Sequence, residues 1–172
     1  MIDTNLKSLI KKHKIIKESC FDTSCINLTL DKTTKRHKVP ANKVIAYESE
    51  NIENYVDNIK INKDSGYTLN PNKCILACSQ EKINMPNFCF GLLQTKGSLA
   101  RLFVFANCAD GQVDPGYSGK ITFELYNASN FKIKIKPGQS IGNLYIFKTT
   151  TSAEKYHGRY QNADFPNHSK AK

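Results

Sequence analysis

From Tyr67 to Phe147 the chain keeps one rhythm, short apolar segments separated by Pro, Gly and Asn turns. Tyr67-Thr68-Leu69 runs into Asn70-Pro71-Asn72 and then Cys74-Ile75-Leu76-Ala77-Cys78. Met85-Pro86 precedes Phe88 to Leu93, and the Gly97 turn precedes Leu102 to Ala106. After the Gly116 turn come Ile121 to Tyr126, then Ile133 and Ile135, the Pro137-Gly138 turn, and Ile141 to Phe147. Segments this short, punctuated about every 8–12 residues, predict an all-β barrel or sandwich. Upstream, Ile26, Leu28 and Leu30 alternate with polar residues as a half-buried strand does, and Val44-Ile45-Ala46-Tyr47 is another short apolar run. Asp3 can cap a short N-terminal helix whose Leu6, Leu9, Ile10, His13 and Ile16 fall near one face. The Asn-, Asp-, Glu- and Lys-rich stretch from Glu48 to Ser65 is expected to be a loop or a partly ordered excursion.

Neither an internal repeat nor a second-domain linker is visible. Residues 1–172 are therefore expected to form one domain, long enough to bury roughly two thirds of its unfolded surface. Residues 149–172 lose the apolar pattern and are expected to form a polar, mobile tail. The formal charge of +10 fits nucleic-acid binding, attraction to small polyanions, or a lysine-rich solvated surface. No RNP-like aromatic motif, zinc finger or arginine-rich arm accompanies it, so nucleic acid is not the expected partner. Six cysteines, Cys20, Cys25, Cys74, Cys78, Cys89 and Cys108, match no common zinc spacing. No secretory apolar segment precedes them, and buried free thiols in a reducing, cytoplasmic setting are expected. No apolar run reaches the ~18–20 residues of a membrane helix, so no membrane partner is expected.

Three segments could carry chemistry. In Lys96-Gly97-Ser98-Leu99-Ala100-Arg101, Gly97 lets backbone approach a ligand, Ser98 offers a hydroxyl, and Lys96 and Arg101 supply cations. That composition suits a phosphate cradle, and it equally suits an ordinary turn with solvated charges. Asp114-Pro115-Gly116-Tyr117 reads first as a type I or II β-turn. Pro115 and Gly116 satisfy the turn, leaving Asp114 free to accept from a sugar hydroxyl and Tyr117 to pack against a deoxyribose. From Lys120 to Tyr126, Ile121, Phe123 and Leu125 point one way and Lys120, Thr122, Glu124 and Tyr126 the other. Glu124 is then either a solvated sheet residue or, if that face lines a cavity, a partly desolvated carboxyl able to pass protons. Zinc-hydroxide deamination is not supported: none of His13, His37, His157 and His168 begins a His-x-Glu element, and there is no Cys-x-x-Cys.

Taken together, these segments resemble the dCTP deaminase branch of the trimeric dUTPase-like superfamily. The family's Arg-Ser-Ser-Leu-Ala-Arg element is matched by Lys96–Arg101, and its Ile-Asp-x-Gly-aromatic-x-Gly element by Val113–Gly119. Its Glu-bearing strand is matched by Ile121–Asn127. Ile26–Leu30, Leu69-Asn70-Pro71, Met85-Pro86, Lys136–Gly142 and Tyr156–Gln161 extend the likeness along most of the chain. The resemblance implies a homotrimer of distorted jelly-roll, dUTPase-like β-barrels with active sites shared between neighbours. It implies a deoxypyrimidine triphosphate as substrate, Mg²⁺ carried on the phosphates, and no zinc.

In the implied site, Glu124, oriented by Arg101, activates water for attack at cytosine C4. Asp114 holds the 3′-hydroxyl, Tyr117 flanks the sugar, and Lys96, Ser98, Tyr156 and Arg159 meet the phosphates. Asp110 and Val113 complete the substrate-binding set. Some positions depart from the family pattern. Gly97 stands for a Ser that positions the water, Asp110 for an Ala beside the base, and Lys96 for an Arg. Arg159 stands for a Lys, Ala163 for a Gln and Phe165 for a Gly. The expected reaction is hydrolysis of dCTP to dUTP, or onward to dUMP, with release of ammonia. The alternatives are a dUTPase-like pyrophosphatase and a catalytically weak, nucleotide-binding regulatory relative.

Overall fold

A computed structural model describes residues 3–171. It contains an N-terminal helix α1 (Asp3–His13), strands β1 (Phe21–Asp22), β2 (Cys25–His37), β3 (Val56–Lys60), β4 (Tyr67–Leu69), β5 (Cys74–Asn84) and β6 (Cys89–Thr95), and the four-residue helix α2 (Gly97–Ala100). Strands β7 (Val104–Phe105), β8 (Gln112–Val113), β9 (Ser118–Asn127), β10 (Ile133–Ile135) and β11 (Ser140–Lys148) complete it. One sheet runs β7-β9-β5-β2-β11-β6-β8, with β1 and β3 also on β2, and β10 pairs with β4 apart from it.

β2 is the pivot. Its first half pairs with β11, Ile26 opposite Leu144, and its second half with β5 and β3, where Thr34 faces Ala77 and Ile59. Between the halves the register shifts, at Leu30–Thr34 on β2, and β5 shifts against β9 at Cys78–Lys82. Such irregularities bend strands, so the sheet curls over itself, giving the mostly β architecture expected from the turn spacing and the distorted jelly roll implied by the resemblance. Inside the curl lie Ile26, Leu28, Leu30, Ile75, Phe123, Leu125 and Leu144, all buried. Helix α1 adds Leu6, Leu9 and Ile10 to that core and leaves Lys7 and Lys11 in solvent.

The bend exposes polar backbone that side chains must satisfy. The buried Ser79 hydroxyl accepts the Ile121 amide at 2.9 Å and donates to the Glu81 carbonyl at 2.7 Å. Beside it, Asp31 accepts the Thr33 amide at 2.9 Å, the Thr33 hydroxyl at 2.6 Å and the Lys120 ammonium at 2.7 Å. Burial alone would raise the Asp31 carboxyl, but Lys120 and Thr33 outweigh it and hold its pKa below the usual carboxylate value.

Three expectations need correction. The Glu48–Ser65 stretch is not all loop: Val56–Lys60 is a strand on β2, because Val56 and Ile61 are buried while the polar residues between them face outward. The apolar run Val44–Tyr47 forms no strand, and Val44 and Tyr47 are each 82% exposed. All six cysteines are free, yet Cys74 and Cys108 are exposed. Cys74 takes the outward position at the start of β5, and Cys108 lies in the loop after β7. Cys78, in contrast, is buried deeply enough to push its thiol up to about 11. Among the described residues no helix is long and apolar enough to cross a membrane.

Because the folded pKa of Asp31 lies below its unfolded value, its contribution is complete above the ordinary carboxylate range. It fades as pH falls through the lowered folded value. Asp31→Asn is expected to destabilise the protein at pH 7 by on the order of 3 kcal/mol, since it leaves Lys120 without its partner. Urea unfolding at pH 7 and at pH 3 measures this, and the gap between variant and parent should narrow at the lower pH.

Candidate active site

β9 decides what faces the cavity beside it. Along Ser118–Asn127 burial alternates residue by residue, with Ile121, Phe123 and Leu125 in the core and Thr122 and Glu124 on the other face. That second face is not left to solvent. With Leu76 of β5, the 110–117 segment and part of the C-terminal tail, it lines a cavity of about 430 Å³.

Glu124 is held there on three atoms. Its amide donates to the Ala106 carbonyl at 2.9 Å, its carbonyl accepts the Cys108 thiol at 3.2 Å, and its Oε2 accepts the Ala109 amide at 2.9 Å. Oε1 has no hydrogen-bond partner among the described residues and is open to a bound molecule. Asp114 begins a turn closed by the Tyr117 amide on the Asp114 carbonyl at 3.1 Å. Gly116 has φ +76°, which selects the type II form and requires glycine there. Asp114 Oδ1 accepts from Gln112 Nε2 at 2.6 Å and Asp110 Oδ1 from the Gln112 amide at 3.0 Å, leaving one oxygen free on each. The Tyr117 hydroxyl donates to the Lys120 carbonyl at 2.6 Å. Burial, then Tyr156 and Cys78, raise its pKa far above that of an ordinary phenol, so the ring stays neutral.

The tail supplies the remaining wall. Gln161 accepts the Ser118 amide at 2.8 Å and donates to the Gly116 carbonyl at 3.0 Å, the Ala163 carbonyl accepts the Lys120 amide at 2.7 Å, and Thr122 Oγ1 accepts the Asn167 amide at 3.1 Å. Gly119, at φ +140°, permits this approach: a Cβ there would lie 2.6 Å from the Ala163 nitrogen. Tyr156 and Tyr160 thereby reach the cavity, the Tyr156 ring 5.8 Å from that of Tyr117. His37, at the end of β2, also lines it, and burial lowers its pKa so that it is neutral at pH 7.

Of the residues singled out in the sequence, Asp110, Val113, Asp114, Tyr117, Glu124 and Tyr156 meet in this cavity. Lys96, Ser98, Arg101 and Arg159 do not. The Lys96 ammonium sits 2.9 Å from Asn27 Oδ1 and 3.4 Å from Asp22 Oδ2. Ser98 and Arg101 are exposed on and just after α2, and the Arg159 guanidinium donates to the Lys170 carbonyl. Among the described residues the lining holds no Lys or Arg, only Asp110, Asp114 and Glu124 with His37. Sequence reading missed His37, Thr122, Tyr160 and Asn167. Thr122 could have been found from its shared face with Glu124; Tyr160 lies in a turn, where its spacing to Tyr156 predicts no shared face. His37 and Asn167 carry no local signal. Among the described residues no group of three or more His, Cys, Asp or Glu could hold a metal ion.

Comparison with known proteins gives the family and the fold. A family model described as dCTP deaminase-like matches residues 2–149. A Streptomyces griseus protein named "dCTP deaminase, dUMP-forming" is 38% identical over 114 residues, which are 63% of this chain and 60% of that protein. A Corynebacterium glutamicum protein of the same name is 35% identical over 119 residues, 66% of this chain and 63% of that protein. The chain thus spans about 60% of the length of the curated relatives it matches. The crystal structure of 2′-deoxycytidine 5′-triphosphate deaminase from Agrobacterium tumefaciens superposes with a TM-score of 0.64 at 13% identity. It covers 85% of this chain and 47% of that one, a likeness of fold.

Gly97 has room for a side chain: a Cβ would meet only Arg101 Nη1, at 3.8 Å. Gly97→Ser is therefore expected to change stability by no more than about 0.5 kcal/mol, read from denaturant midpoints.

Proposed function

The chain belongs to the dCTP deaminase-like family, and on that premise we propose that it hydrolyses the 4-amino group of dCTP and releases ammonia. The observation carrying this reading is Glu124, fixed through Oε2 and open at Oε1, in one cavity with Asp114 and Tyr117. Asp114 uses its free oxygen to accept the 3′-hydroxyl, and Tyr117, tied to Lys120, packs against the deoxyribose. Glu124 takes a proton from water as the water oxygen bonds to C4, and passes it to ring N3. The second water proton travels by the same carboxylate to the amino nitrogen, the C4–N bond breaks, ammonia leaves and C4=O remains. One carboxylate acting as base and then acid supplies typically 10²–10⁴-fold of rate. As in the relatives named dUMP-forming, a second water then bonds to the α-phosphorus of the uracil nucleotide as the bond from that phosphorus to the bridging oxygen breaks, leaving dUMP and pyrophosphate.

A cavity with carboxylates and no Lys or Arg repels a triphosphate. The cations must come from elsewhere, and we propose a homotrimer in which α2 of a neighbour brings Ser98 and Arg101 to the phosphates and to Glu124. Lys96 and Arg159 belong to the same phosphate-facing set, Lys96 after giving up Asp22 and Asn27. Asp110 and Val113 lie against the base. The described residues build no cation site of their own, so Mg²⁺ would enter on the phosphate oxygens and offset their charge. The missing hydroxyl at Gly97, the engaged Lys96 and the buried Ala163 favour one second reading, a weakly active nucleotide-binding relative.

Incubating the protein with dCTP and Mg²⁺, with ammonia and pyrophosphate assayed in parallel, separates these readings. Ammonia release that falls about 10²-fold or more in Glu124→Gln is the expected result. Pyrophosphate from dUTP without ammonia from dCTP would identify a pyrophosphatase instead. Turnover well below about 1 s⁻¹ on every pyrimidine nucleotide would leave the regulatory reading. If neighbours share sites, mixing inactive Glu124→Gln and Arg101→Ala subunits restores part of the activity; no recovery would place the whole site within one chain.

A further inference from the structure

Away from this cavity, a second cleft of about 740 Å³ opens where the end of β3 and the Pro137–Gly138 turn meet the bulge of β2. It is lined by the buried Leu30 and Ile61 and by the exposed Lys32, Lys60 and Lys63. The walls are tied down by backbone. The Ile61 amide donates to the Lys32 carbonyl at 2.6 Å, and the Gly138 amide donates to the Leu30 carbonyl at 2.8 Å. Asn62 Oδ1 accepts the Asp64 and Ser65 amides at 2.9 and 3.0 Å, shaping the turn that carries Lys63. Behind that turn, Gly66 lies against the side-chain stems of Lys134 and Lys136.

None of Lys32, Lys60 and Lys63 makes an ion pair among the described residues. The one acid in the lining, Asp31, is committed to Lys120 and Thr33 and does not neutralise them. Asp64, on the neighbouring turn, pairs with no cation either. Cations of one sign around a concave surface focus the field into it, and their mutual repulsion is relieved by an anion with several charged oxygens. Lysine meets phosphate as a mobile point charge.

We propose that this cleft is a binding site for the polyphosphate chain of a small free molecule, with Lys32, Lys60 and Lys63 each meeting phosphate oxygens. Among the described residues no aromatic ring lines it, so they offer no platform for stacked bases of single-stranded nucleic acid. This site is independent of the deaminase reading and stands or falls separately.

The test is calorimetric titration of the full chain carrying Lys96→Ala, Ser98→Ala, Arg101→Ala and Arg159→Ala, which removes the cations and the hydroxyl of the other proposed phosphate site. Inorganic tripolyphosphate without Mg²⁺ is the probe. Adding Lys32→Gln, Lys60→Gln and Lys63→Gln is expected to weaken binding about 10-fold or more. Lys7→Gln, Lys11→Gln and Lys12→Gln on the exposed face of α1 remove the same charge and should leave binding nearly unchanged, and Arg at the three cleft positions should retain it. ATP as a second probe should compete with tripolyphosphate. Equal weakening by both Gln sets, or no binding up to about millimolar probe, would overturn the proposal. So would displacement of the probe by a lower phosphate concentration of single-stranded oligonucleotide, which would point to nucleic acid.

Discussion

The pairing of β9 with β5 is the constraint on which the site depends. Glu124 faces Leu76 and Phe123 faces Ala77 in one register, and a slip of one residue would exchange the two faces of the strand. Glu124 would then enter the core and Phe123 the cavity. What forbids the slip is burial: Ile121, Phe123 and Leu125 each lose most of their apolar surface to the core, worth about 1.5–3 kcal/mol apiece. The position of one polar carboxylate is thus set by three apolar neighbours that never touch a ligand. The bend at Asp31, Ser79 and Lys120 then turns that strand so that its polar face meets the 110–117 segment.

Charge is distributed unevenly around this frame. In a chain of formal charge +10, the described residues line the cavity beside β9 with three carboxylates and a neutral imidazole and with no Lys or Arg. A triphosphate needs the opposite field, and the proposed trimer supplies it by bringing cations from outside the fold of one chain.

The sequence made β9 legible because its alternation is strict and its polar and apolar residues differ sharply in size and charge. The Asp114 turn was legible for a similar reason: Pro115 and Gly116 specify a backbone shape, and Gly116 indeed sits at positive φ. β3 was not, because Asp57, Asn58 and Lys60 dominate its composition while the burial that holds it falls on Val56 and Ile61 at its margins. Val44–Tyr47 erred the other way, since apolar character in a short run says nothing about whether a partner strand exists. The Lys96–Arg101 segment was picked out by its residue types, yet where those side chains lie relative to Glu124 depends on how distant parts of the sheet curl. Local spacing carries no record of that.

The C-terminal tail shows why a polar composition does not imply detachment from the fold. Residues 156–167 bury few apolar side chains, Ala163 and Pro166 among them. They are held instead by the Tyr156 amide on the Pro115 carbonyl at 2.8 Å, the Asn162 amide on the Ser118 carbonyl at 2.7 Å, and the Gln161 and Asn167 contacts. Net of water, bonds of this kind contribute about 1 kcal/mol each, whereas an apolar strand of equal length would lose far more on leaving the core. Every one of these bonds ends on the 115–122 stretch, between Asp114 and Glu124. The tail and the two carboxylates therefore share a single backbone support, and whatever loosens the first disturbs the geometry of the others.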